Sequence, residues 1–76
     1  MNGSAMTTTA KTRTARERNV WNAGFAIACV ELATTHMQGD LAAMLFRDAG
    51  LSLAMCREAG MDDTDLKQIE IFLKNN

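Results

Sequence analysis

Between Val20 and Ala33 the chain is almost continuously apolar, interrupted only by Asn22, Gly24 and Glu31. Two stripes run through it at helical spacing. Val20, Ala23, Ile27, Val30, Thr34 and Met37 alternate steps of three and four, as the seam of a coiled coil does. Trp21, Phe25, Ala28 and Leu32 follow a neighbouring line. Thr14 and Glu17 have the spacing of a capping box, and Gly39 is a natural stop. The pattern therefore predicts a long first helix from near Thr14 to about Gln38.

Three shorter helices are predicted after it. Asp40 is placed to cap a helix over about 41–48, with Leu41, Met44 and Leu45 on its apolar face and Gly50 as its stop. Ser52 is placed to cap a third helix over about 53–58, ended by Gly60. Asp62 is placed to cap a fourth helix, reaching about Leu73. Leu66, Ile69 and Leu73 form its stripe, with Phe72 alongside. Met61 and Leu66 bracket that cap as a hydrophobic staple, and Asp65 stands at the capping-box position. The phrase Arg47-Asp48-Ala49-Gly50-Leu51-Ser52 returns ten residues later as Arg57-Glu58-Ala59-Gly60-Met61-Asp62. Each copy reads as a corner: a glycine ends one helix, an apolar residue pins the turn, and a polar cap starts the next.

Composition agrees with an all-α fold. Ala, Leu and Met are abundant, β-branched residues are scarce, and Pro and Tyr are absent. With 76 residues there is room for one domain with a thin core. Residues 14–76 are expected to form it, behind a polar, disordered, basic tail over 1–13. Met6 is an alternative start, which would make residues 1–5 an appended remnant. A first helix this apolar around its circumference needs cover on more than one side, and three short helices look insufficient. The expectation is a homodimer in which Val20, Trp21, Phe25, Ile27 and Val30 of two copies pair. The competing expectation is a monomer whose later helices cup the first more completely.

Charge is divided along the chain. Residues 1–18 carry Lys11, Arg13, Arg16 and Arg18 against Glu17, a net of +3; residues 19–76 carry four cations against eight acids, a net of −4. An acidic body argues against general nucleic-acid binding by the folded part. No signal peptide is visible, and the longest apolar run, Phe25 to Val30, is far too short to cross a bilayer. A cytoplasmic protein without membrane association is expected. Cys29 and Cys56 read as two buried thiols; a disulfide between helices is the alternative.

No catalytic set is present. A lone His36, two cysteines in apolar settings and singly placed glycines provide no nucleophile with its base and no phosphate loop. Cys29, His36 and Cys56 fall short of a structural zinc site. The expected class is a non-enzyme with no metal and no cofactor. Short helices joined by tight corners do suggest a helix-turn-helix DNA reader, which is the alternative reading. If the fourth helix entered the groove, Asp62, Asp63 and Asp65 would meet phosphates. If the third did, Arg57 would be nearly its only reach to a base. A protein-binding module suits the charges better. Asp62, Asp63 and Asp65 would stand where phosphates sit on a partner's basic surface, with Arg47 and Arg57 as further contacts.

The segment "WNAGFAIACVELA" followed by "DLAAMLFRDAGLSLAMCREAGMDDTDLKQIEIFLKN" resembles the small helical early proteins of Mu-like temperate phages, notably their quorum-sensing anti-activators, over most of residues 14–75. The resemblance implies an all-helical dimer that binds a bacterial host transcription activator and blocks its DNA binding. It also implies action on the motor ATPase of type IV pili. It supplies no residue-level motif.

Overall fold

A computed structural model describes residues 14–76; the tail expected over 1–13 lies outside the described residues. Four helices follow one another: α1 (Ala15–Thr34), α2 (Gly39–Asp48), α3 (Leu53–Glu58) and α4 (Asp63–Asn75). Among the described residues there is no strand. The domain is all-α, and α1 packs against each of the other three helices while α4 also packs on α2 and α3.

The local signals in the chain are realised at most helix ends. Thr14 Oγ1 accepts from the Glu17 N–H at 3.1 Å, and Glu17 Oε1 accepts from the Thr14 N–H at 2.8 Å, a complete capping box. The hydroxyl of Ser52 accepts from the Met55 N–H, and Asp62 Oδ1 accepts from the Asp65 N–H. Both corners are Schellman turns. Leu51 N–H reaches the Phe46 carbonyl and Gly50 N–H the Arg47 carbonyl; ten residues on, Met61 reaches Cys56 and Gly60 reaches Arg57. Gly50 and Gly60 have φ of 75° and 85°, the left-handed conformation that this turn requires and that a side chain disfavours.

The junction between α1 and α2 departs from expectation. Helix α1 ends at Thr34 rather than near Gln38. The Thr34 hydroxyl donates to the Val30 carbonyl at 2.8 Å, and the β-branched pair Thr34-Thr35 is a poor continuation for a helix. Met37 turns the chain with φ of 58°, and the Gln38 N–H reaches back to the Leu32 carbonyl. Gly39 opens α2 instead of closing α1. Its place is set by a close approach, since a Cβ there would lie 3.3 Å from Asn76 Nδ2 and 3.7 Å from Phe72 Cβ. Asp40 is not the cap; Gln38 holds that position without a side-chain bond, and Asp40 lies in the first turn, where a carboxylate suits the helix dipole.

The core is built on different faces from those the large side chains suggest. In α1 the buried residues are Ala26, Cys29 and Val30, and in α2 they are Ala42, Ala43 and Phe46. Four of these six are small: Ala26, Cys29, Ala42 and Ala43. Leu51, Cys56, Leu66, Ile69 and Phe72 complete the cluster. Phe46 and Phe72 meet edge to face, with centroids 5.8 Å apart. The expected face of α2, with Leu41, Met44 and Leu45, is turned away from the core: Met44 and Leu45 are exposed and Leu41 half-buried. The expected stripe of α4 is largely realised, with Leu66, Ile69 and Phe72 buried and Leu73 half-buried.

Candidate interaction surfaces

Among the described residues no polar or charged side chain is buried, so the chemistry available lies on the surface. Two features stand out there: an apolar face on α1 and the acidic start of α4.

The face on α1 follows from the helix period. With Ala26, Cys29 and Val30 turned inward, the opposite side presents Val20 (69% exposed), Ile27 (50%) and Trp21 (45%), together with exposed Gly24 and Ala28. Trp21 stacks on half-buried Phe25 at a centroid distance of 5.2 Å. Toward the C-terminal end of α1 the face opens into a groove of about 370 Å³, walled by Phe25, Ala28, Leu32 and Leu45, with Cys29 at its floor and Glu31 and His36 at its rim. Four of the five residues expected at a dimer seam thus retain exposure. The fifth, Val30, is 8% exposed and belongs to the core of its own chain.

The first turn of α4 places Asp62, Asp63 and Asp65 together. They differ in role. The Asp62 carboxylate is the helix cap, Asp65 is half-buried and supplies the N–H that the cap binds, and Asp63 is exposed and takes no part in the cap. Arg57 is exposed in the last turn of α3, one corner away. Arg47 is elsewhere. Its guanidinium donates to the carbonyls of Leu73 at 3.0 Å and Asn76 at 3.2 Å, at the far end of α4 and roughly 15 Å along the axis from the acids. Arg47, expected as a partner contact, is exposed, and its hydrogen bonds also make it a cap for the C-terminal carbonyls of α4. An Arg in the last turn of one helix carries no mark in sequence that it serves another helix 26 residues on.

Cys29 and Cys56 are free thiols, both buried. Burial pushes both pKa values up, and the charge of Cys56 raises that of Cys29 further. His36 is exposed beyond the end of α1, yet it borders the same groove as Cys29. Among the described residues no group of three or more His, Cys, Asp or Glu side chains is arranged to hold a metal ion. No helix there is long and apolar enough to cross a membrane. As for α3 as a DNA reader, its six residues span about 9 Å, and Arg57 is its only cation.

No family model, curated protein or solved structure matches the chain.

Proposed function

We propose that the protein is a non-enzymatic binding module that inhibits a bacterial regulatory protein by occupying a basic surface on it. The observation that carries this reading is the exposed acidic first turn of α4. Asp63 is exposed there next to the cap Asp62, with half-buried Asp65 two residues on and around the helix from it, on a body whose charge is negative outside its first 18 residues. Carboxylates fixed at a helix start can take the place of nucleic-acid phosphates on a cationic partner and steer its approach. The resemblance to phage early proteins supplies the partner class: a quorum-sensing transcription activator whose DNA binding would be blocked, and the ATPase of type IV pili, both in the bacterial host cytoplasm.

The test is capture from a bacterial lysate by the full chain, run beside an Asp63→Lys variant. Recovery of a transcription activator or pilus ATPase by the wild type and its loss in the variant supports the proposal. Recovery of nucleic acid alone, displaced by salt, overturns it in favour of the helix-turn-helix alternative.

A further inference from the structure

The cations at the start of α1 are arranged against its apolar face. With Gly24 as the middle of that face, the helix period sets Val20 and Ile27 on one side and Trp21 and Ala28 on the other, all within about 60°. Arg16 falls just outside Val20 and Ile27, at roughly 80°, and Arg18 outside Trp21, at roughly 120°. Both arginines are exposed, and Arg16 shares a shallow concavity with Glu17, Val20 and Trp21. The first half of α1 thus carries an apolar middle with a guanidinium on each flank, and residues 1–18 have a net charge of +3. Asn19 and Asn22, which border Met55 and Glu58 of α3, stand on the opposite side of the helix. α3 and the corner leading to the acidic turn of α4 therefore lie behind α1. Two carboxylates share the apolar face, each near one end of it. Glu17 is held in the capping box. Glu31 lies one turn beyond Ile27.

We propose that the first half of α1 docks on the surface of an anionic lipid bilayer. Val20, Trp21 and Ile27 enter the boundary between headgroups and acyl chains, while Arg16 and Arg18 reach the lipid phosphates along their apolar stems. An indole suits that depth, with an apolar ring and an N–H at its polar edge. The helix axis tilts, so that the end bearing Glu31 stays in water. The acids behind α1 are screened over about 8 Å at physiological salt. Nucleic acid would engage the arginines but leave Val20 and Ile27 in water, so the apolar middle favours lipid. The sequence led to the expectation of no membrane association. A short apolar run, however, bars crossing a bilayer and not lying on one. The apolar area is small, so attachment is reversible and weakens with salt.

Trp21 is the single Trp of a chain without Tyr, so its emission reports on this face directly. The full chain is titrated with vesicles of phosphatidylcholine and phosphatidylglycerol, and with vesicles of phosphatidylcholine alone. With the mixed vesicles the emission should move to shorter wavelength and the chain should sediment with the lipid. With phosphatidylcholine alone the affinity should be about tenfold lower or less. Arg16→Glu and Arg18→Glu should each weaken binding by about fivefold or more. The double variant Val20→Gln, Ile27→Gln should weaken it by about tenfold or more, because it removes the apolar anchors. Both positions are exposed, so its thermal melt should match that of the wild type. No response to the mixed vesicles overturns the proposal, and so does equal affinity for the neutral ones. Binding that needs the arginines but ignores the double variant, and is matched by duplex DNA, overturns it in favour of nucleic acid. An emission shift that grows with protein concentration in the absence of lipid overturns it in favour of a second copy on this face. No arm of the test involves a captured protein, so the lipid contact and the inhibitory reading fail separately.

Discussion

The guanidinium of Arg47 donates to the carbonyl of Leu73 at 3.0 Å, tying the last turn of α2 to the last turn of α4. A second bond from Arg47 to the Asn76 carbonyl satisfies another group at the same helix end. Both bonds are exposed, so each is worth less than a buried charged hydrogen bond. Arg47→Ala is expected to cost about 1 kcal/mol, measured as a shift in the urea midpoint. If Arg47 acts on a partner only through the fold, capture of that partner should fall no further than this loss of stability explains.

Two aspartates a single residue apart should separate in their effects. Asp62 is the cap of α4, and Asp62→Ala should destabilise by about 1 kcal/mol. Asp63 is exposed outside the cap, and Asp63→Ala should stay within about 0.5 kcal/mol of wild type. Under the inhibitory reading the second substitution weakens partner capture all the same. Denaturant titrations run beside the lysate capture distinguish the two roles.

Glycines in this chain should respond in opposite directions. Gly50→Ala and Gly60→Ala force a side chain into the left-handed region and should each cost about 1–2 kcal/mol. Gly24→Ala, mid-helix with open space around it, should stabilise the monomer by about 0.5–1 kcal/mol. Thermal melts in dilute solution read both signs.

Phe46 is 1% exposed and packs edge to face with Phe72 at the centre of a small core. Phe46→Ala should cost about 3–5 kcal/mol. That is comparable with the whole stability expected of so short a domain. Loss of cooperative melting by circular dichroism is the expected outcome.

The thiols predict alkaline sensitivity. Burial raises the pKa of Cys29 and Cys56 above the ordinary value of 9.0, so the fold favours the protonated thiol. The stability contributed this way is intact below that value and falls as pH climbs from it through the raised folded values. A Cys29→Ser, Cys56→Ser double variant should lose that part of the alkaline decline. In the wild type at neutral pH, thiol reagents should label Cys56, which is fully buried, only at the rate of opening.

The features readable from residue order are the interactions closed within a few residues. The capping box of Thr14 and Glu17, the caps at Ser52 and Asp62, and the corners at Gly50 and Gly60 each satisfy backbone groups locally, so residue type and spacing suffice to find them. The acidic start of α4 was legible for the same reason. Which sides of α1 and α2 face inward depends instead on packing between the helices. A helix apolar around its whole circumference has no preferred direction in its pattern. Ala26 and Cys29 of α1 and Ala42 and Ala43 of α2 are buried while the larger Val20, Ile27 and Met44 are exposed, and small side chains are what allow packed helices to approach closely. Arg47 and Gly39 were likewise assigned by contacts with α4 across the fold. Their roles depend on a neighbour that the linear order of residues does not name.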